Sequence, residues 1–476
     1  MNITGGSTSA SPSCQHRGTH NRSVEPYLLT ALLALLAPLL LHASTILDYT
    51  PESLWTYDLA RWMNVPVLAI AMVAAILGVH RLEITIPMGV LVALSASLTG
   101  TTLALHIHIG GAAEWTLLMT LMAAGWLLAN LARFSSPGEV TNQLALAILL
   151  ISTLLIVRGL AAWLPHCLYD GTCNEFYGNY LAIGNRRGFN HIQTGIIPFL
   201  IWLTFTRDPG YVRKLALFNT VIMLWMVVTT GARGTSVALI ATGMIIAWSY
   251  RWTGSQWRTM ALSVAFATAA VVATASSQFL IGPTTSPGTE PFTIDLGSSG
   301  RVDLWRQAIA GTLDAPVLGQ GPGAVATLPT KLAHAHNLLL EVSHDYGLPV
   351  ALFTVIFVVL SAVLAVFRLP QEAQPVAWAT CALLVHSLVS GVYFYPFGQI
   401  LLLLTLALTW GWSKALGPPS LRYVVYMTPG VRIIAGALVC GLVVSMVLLF
   451  AASFPDYRSG IGFAPRLWLG GRYNIQ

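Results

Sequence analysis

Residues Ser298–Gly347 read SSGRVDLWRQAIAGTLDAPVLGQGPGAVATLPTKLAHAHNLLLEVSHDYG. The stretch carries Arg301, Arg306, His334, His336, Asn337 and Glu341, and apolar segments bracket it on both sides. From Ser298 to Ala335 it is too polar for hydrocarbon, where unsatisfied polar groups are costly. It therefore reads as a large extramembrane loop that runs into a transmembrane helix starting near His336. That places the histidine at the water boundary, and the chemistry is expected there.

Outside this stretch the chain is apolar. A length of 476 residues with 55% hydrophobic and only 9% charged residues, and a mean hydropathy of +0.70, excludes an ordinary soluble domain. The fold class is an all-α polytopic membrane protein. The formal charge of +6 comes from 24 Lys and Arg that form no basic run and no aromatic-interleaved patch, so no nucleic-acid partner is expected. Runs long enough to span a bilayer lie at 27–42, 62–79, 84–105, 115–132, 142–164, 189–206, 213–230, 233–250, 259–281, 336–367, 375–393, 397–412 and 432–454. That makes about 12 to 13 spans, the first being short. The organisation is a disordered cytoplasmic tail at 1–26, an N-terminal bundle at 27–281, the loop at 282–335, C-terminal helices at 336–454 and a tail at 455–476. No solenoid-period repeat is present.

Orientation follows from the basic residues in short connectors. Nearly every short connector on the N-terminal tail's side carries Lys or Arg, whereas many basic residues of the other side sit in the large loop and the C-terminal tail. The first side is read as cytoplasmic. The loop then faces outward together with Cys167 and Cys173, the one plausible disulfide pair. The same parity brings Arg186 and Arg187, Arg233, Arg301 and His336 to the outer face, from four separate segments.

Arginine suits a diphosphate because its planar fork offers parallel donors and stays charged in a partly dry site. Several converging arginines could hold a lipid diphosphate and stabilise it as a leaving group without a metal. The plain alternative is that arginines at span ends snorkel into headgroups, the reading preferred for Arg158 within 142–164. His336 invites assignment as a base, since neutral imidazole accepts a proton near neutral pH. It could equally cap the following span. Metal is disfavoured for HAHN, because its two histidines stand two apart and no carboxylate or cysteine set completes a site. Asn337 could anchor the helix start or orient the histidine, and Glu341 falls four residues on, on the same helix face. GQGPG at 319–323 lacks the dinucleotide spacing and reads as a turn.

TTGARG with Arg233, SGRVDLW with Arg301 and Trp305, APVLGQGPG, and HAHNLLLE leading into YGLP resemble, in order, the signature of the O-antigen ligase and polymerase superfamily. GNRRGFN around Arg186 and Arg187 is similar to the family's upstream basic motif. The likeness covers about 175–370. It implies a C-type glycosyltransferase-like fold with a large periplasmic loop, in the bacterial inner membrane, and transfer of a glycan from undecaprenyl diphosphate without metal or cofactor. Carried across, it makes His336 the base on the acceptor hydroxyl. Arg233, Arg301 and one of Arg186 or Arg187 would bind the diphosphate, with Asn337 and Glu341 beside the substrate. Attack at the anomeric carbon would invert it.

The resemblance leaves three acceptors: lipid A core for a ligase, another lipid-linked repeat for a polymerase, and Ser or Thr for a protein oligosaccharyltransferase. HSLVSGVYFYPFGQ at 386–399 looks somewhat like the protein-glycosylating branch, but those enzymes often carry a large C-terminal domain. Ligation to lipid A core is the expectation, and membrane lipids are the surroundings. A transporter of lipid-linked glycans is the competing class, which predicts charges near the midplane and two similar halves. No such halves are found.

Overall fold

The computed structural model describes residues 24–44, 54–106, 109–169, 186–206, 210–230, 232–281, 301–328, 334–413 and 422–453. Residues 1–23 of the expected N-terminal tail, the whole C-terminal tail, Cys173, Lys331 and residues 282–300 lie outside the described residues, as do the side chains of Cys167, Arg186 and Arg187, while residues 25 and 26 belong to the first helix.

The described chain is helical throughout, apart from one small ribbon. The helices are α1 (Glu25–Ser44), α2 (Leu54–Gly78), α3 (Ile86–Leu105), α4 (Ile109–Ala132), α5 (Pro137–Tyr169), α6 (Arg186–Thr206) and α7 (Tyr211–Thr229). They continue as α8 (Arg233–Ser249), α9 (Gly254–Ile281), α10 (Arg301–Asp314), α11 (Leu338–Phe367), α12 (Gln374–Ser387), α13 (Pro396–Trp412) and α14 (Pro429–Ser453). Every expected span falls on one of them, and the additional helix, α10, lies in the large loop. Among the described residues, seven helices are long and apolar enough to cross a membrane. The chain is thus an all-α polytopic membrane protein.

Helices α6, α12 and α13 form the centre. They bury nearly every side chain, including Asn190, His191, Gln193, Thr194, Thr380, His386 and Ser387. These polar side chains face other helices, as intramembrane polar groups do when they serve a site or hold a bundle together. At the other extreme, α14 leaves Ile433, Ile434, Leu438 and Leu448 exposed, as expected of a helix bathed in lipid.

Two details depart from the sequence reading. A two-stranded antiparallel ribbon, β1 (Arg81–Thr85) with β2 (Arg422–Tyr426), pairs Glu83 with Val424. Glu83 also takes ion pairs from Arg133 at 2.6 Å and Arg81 at 3.2 Å. Arg158 does not snorkel: it is buried and donates to the carbonyl of His42 at the end of α1. A buried guanidinium needs such acceptors, and the carbonyls that α1 leaves unused at its C-terminus supply one.

Helix α11 is broken at Gly347 (φ 83°, ψ 171°). Pro349 has no N–H to give the Asp345 carbonyl, and the Leu348 N–H turns away to Pro316 O at 2.8 Å. The GQGPG turn of the loop takes up the freed carbonyls. Gln320 N–H donates to His344 O at 2.8 Å and Gly321 N–H to Asp345 O at 3.1 Å. The Asp345 carboxylate in turn accepts Gly323 N–H at 3.0 Å and Val325 N–H at 3.2 Å. A side chain at Gly347 would stand 2.2 Å from Val317 O, so the contact requires glycine. The loop is thereby locked against the first turns of α11, which follow directly on the HAHN segment.

Candidate functional site

The segment His334–Asn337 is a tight turn. Asn337 is extended (φ −151°), and its Oδ1 accepts the N–H groups of Leu339 at 3.0 Å and Leu340 at 3.1 Å, capping α11. Reaching that cap from a buried Ala335 puts His336 into the left-handed region at φ 53°. For a non-glycine residue this conformation costs roughly 1–2 kcal/mol. It persists because its surroundings fix it. Ala335 is held on both sides, its N–H donating to Glu341 Oε2 at 2.5 Å and its carbonyl accepting Trp305 Nε1–H at 2.8 Å.

His336 N–H donates to His334 Nδ1 at 3.2 Å, which assigns the proton of a neutral His334 to Nε2. The two rings lie 3.9 Å apart, and both are buried, at 1% exposed for His334 and 4% for His336. This pair faces the segment between α12 and α13. The sequence reading runs that span to 393, but α12 stops at Ser387 and residues 388–395 form successive turns. Non-helical backbone inside a membrane protein is tolerated where protein surrounds it. Here the Phe394 ring stacks on His334 at 5.1 Å, and a Cβ at Gly391 would stand 2.4 Å from His334 Cε1. Only glycine allows the imidazole to sit where it does.

Tyr393 ties the two segments together. Its hydroxyl donates to Glu341 Oε2 at 3.0 Å. Arg61 of α2, fully buried, braces the segment from behind. It donates to Phe394 O at 2.6 Å and to Gln399 Oε1, and its guanidinium lies 5.6 Å from the Phe394 ring centre. Gln399 Nε2 in turn donates to Tyr393 O at 2.7 Å.

Three of the four expected arginine positions begin helices: Arg186 starts α6, Arg233 starts α8 and Arg301 starts α10. These N-termini gather at residues 386–391. Arg301 Nη1 donates to Val389 O at 3.0 Å. A Cβ at Gly234 would lie 3.0 Å from the His386 ring, and Thr235 Oγ1 donates to Asn190 O at 3.2 Å. The Arg233 side chain is exposed. Each helix start adds a partial positive charge of about half a unit to the arginine it carries. The arrangement suits an anion.

The structure also brings in residues that sequence reasoning passed over. His191 reaches Ser390 Oγ at 2.8 Å, with its ring 5.0 Å from His386 and 4.9 Å from Tyr395. His386 Nδ1 meets Thr194 Oγ1 at 2.8 Å. A second imidazole pair thus lies beside the arginine-bearing helix starts. The signal for His386 and Ser390 was a histidine and serines inside an apolar run; for Arg61 it was a charge beside an apolar run, and for His191 the polar NHIQT run inside the expected 189–206 span.

Residues 218–355 match the O-antigen ligase family model. The matched range contains Arg233, Arg301, the GQGPG turn and the HAHN segment, and it supports the likeness to the O-antigen ligase superfamily. It points to a membrane enzyme of the O-antigen ligase or polymerase type. Arg186, Arg187 and the 386–399 segment fall outside the match. No curated protein matches the chain.

Proposed function

We propose that this protein is an inverting glycosyltransferase of the bacterial inner membrane, with its site on the periplasmic face. It moves a glycan from undecaprenyl diphosphate to a hydroxyl of lipid A core. The observation that carries the reading is the His334–His336 pair, buried and fixed in a strained turn, close to a cluster of helix starts that bear Arg186, Arg233 and Arg301. His336 takes the proton of the acceptor hydroxyl. The oxygen attacks the anomeric carbon from the face opposite the diphosphate, the bond from that carbon to the diphosphate oxygen breaks, and undecaprenyl diphosphate leaves. Arg233, Arg301, the helix starts and one of Arg186 or Arg187 stabilise the charge on the leaving group. His334, packed on His336 and accepting its N–H, keeps the base in place, while Glu341 and Asn337 hold the turn at the edge of the acceptor path. The proton then passes from His336 to water.

The test is a reaction with purified protein in detergent, an undecaprenyl-diphosphate glycan and EDTA, with three acceptors offered separately: lipid A core, a second lipid-linked glycan and a Ser-rich peptide. Product on lipid A core supports the proposal. Product on either other acceptor reassigns the enzyme to polymerisation or protein glycosylation. No product on any acceptor, with wild type and His336→Ala binding donor alike, overturns the transferase reading in favour of transport.

A further inference from the structure

At the far end of α8, away from His336, the chain forms a cleft of about 880 Å³ whose walls include Trp248, Tyr250, Trp252, Trp257 and Phe367, with Arg251 among them. Trp252 is its fixed wall, held by edge contacts with Phe205 at 5.0 Å, Trp257 at 5.4 Å and Trp378 at 5.7 Å. Trp248 and Phe367 are 74% and 64% exposed, so the apolar side of the cleft opens outward. The cleft sits where α8 and α11 end, the level at which Trp and Tyr collect between hydrocarbon and headgroups.

Arg251 is the unexpected residue. The α8 terminus closes with Trp252 N–H on Ala247 O at 2.9 Å and Arg251 N–H on Trp248 O at 3.2 Å, the pattern that places a left-handed residue after the helix. Glycine is the usual occupant, yet Arg251 holds the position at φ 50°. Its guanidinium is exposed and makes no hydrogen bond or ion pair among the described residues, and the main chain already satisfies the helix end without it. The strain therefore serves something other than capping. Arg258 and Arg368 are exposed near the same helix ends. The nearby acid, Glu372, packs against Gly138 of α5.

We infer that this cleft binds an anionic phospholipid, with Arg251 on the phosphodiester and the aromatic walls along the first methylenes of the acyl chains. The guanidinium fork matches the phosphodiester oxygens. The exposed aromatic rings match acyl chains, which a free phosphate lacks. The site lies at the opposite end of α8 and α11 from the proposed transferase centre and does not depend on that reading.

The test uses the full-length protein in detergent with three probes: dioleoylphosphatidylglycerol, dioleoylphosphatidylcholine and inorganic phosphate. Bound lipid is counted by native mass spectrometry, and the unfolding midpoint is followed in parallel. Arg251→Gly is the main variant, because glycine suits the left-handed position and keeps the helix end folded; Arg251→Gln is the second. Wild type is expected to hold phosphatidylglycerol about tenfold more tightly than either variant, as for one lost charge-assisted contact, and to prefer it to phosphatidylcholine by a similar factor. Equal phosphatidylglycerol binding by wild type and both variants overturns the assignment of Arg251. Equal binding of the two lipids overturns headgroup recognition. A midpoint shift from inorganic phosphate alone overturns a lipid site in favour of a soluble-anion site.

Discussion

The turns at His336 and Arg251 are the two places among the described residues where a residue other than glycine holds a left-handed backbone, at φ 53° and φ 50°. They are held in different ways. At His336 the conformation is fixed through neighbouring residues: Trp305 and Glu341 on Ala335, Tyr393 on Glu341, and the His336 N–H on the ring of His334. Its own side chain is buried. At Arg251 the conformation is fixed by two main-chain hydrogen bonds that any residue would make, and the side chain stands outside. In the first turn backbone and side chain form one unit; in the second they are separable. Strain that many contacts determine marks a site whose geometry matters to a fraction of an ångström, whereas strain carried by the backbone alone marks a side chain that is wanted for its position.

The largest effect expected from this contrast is on activity. His336→Ala should lower transfer by about 10²–10⁴-fold, the range for losing a positioned base, in protein that still inserts. Arg251→Ala should change turnover by less than about twofold, since it lies at the other end of α8. Wild-type turnover in a properly inserted His336→Ala protein would remove the base from the mechanism. Next comes Gly391→Ala, whose Cβ would stand 2.4 Å from His334 Cε1. Overpacking of this kind costs about 1–3 kcal/mol, and the displaced ring should lower kcat while donor binding stays near wild type. Full kcat in Gly391→Ala would show that His334 has no part in holding His336. Smaller again is Tyr393→Phe, which removes the hydroxyl's hydrogen bond to Glu341 Oε2 while the Ala335 N–H stays on that oxygen, at about 1 kcal/mol. A shift in the pH profile of kcat would separate a positioning role from simple loss of stability, which leaves the profile in place.

Much of the fold and part of the candidate site were legible in the sequence, though unevenly. Span positions were readable because apolar runs of membrane length are long and strong signals. Asn337 was readable as a helix start because its side chain suits the capping position. Glu341 could be placed on the helix but not assigned its partners, since Ala335 N–H and Tyr393 come to it across the turn and from another segment. Tyr393 itself was hidden, because VYFYPF is apolar enough to extend a span when only composition is counted. The end of α12 at Ser387 depends instead on packing of Gly391 and Phe394 against His334. Arg158 was read as a snorkelling arginine, and its burial inside the bundle, like that of Arg61, is a tertiary fact that local pattern does not carry. Arg251 carried no local signal of its left-handed state and His336 only a weak one, since histidine is enriched among the few non-glycine residues found there.

The smallest effect is the one that tests the comparison itself. Replacing Arg251 by Gly removes a backbone strain of roughly 1 kcal/mol, but glycine also loosens the unfolded chain by about 0.4–1 kcal/mol. The net change in unfolding midpoint, measured in detergent without added lipid, should therefore be near zero or slightly positive. Arg251→Asn should do better, since asparagine tolerates the left-handed region without the same entropic cost. Arg251→Ala should gain nothing, because alanine meets the same steric clash. At His336 the same glycine substitution removes a similar strain but also empties the space beside His334, and loss of a buried aromatic side chain costs about 3–5 kcal/mol. His336→Gly should therefore unfold well below wild type, while Arg251→Gly does not. A stabilised His336→Gly would mean that the imidazole is not packed as a unit with its turn, and a strongly destabilised Arg251→Gly would mean that the exposed guanidinium is held by contacts the backbone argument leaves out. Either result would erase the distinction between the two turns.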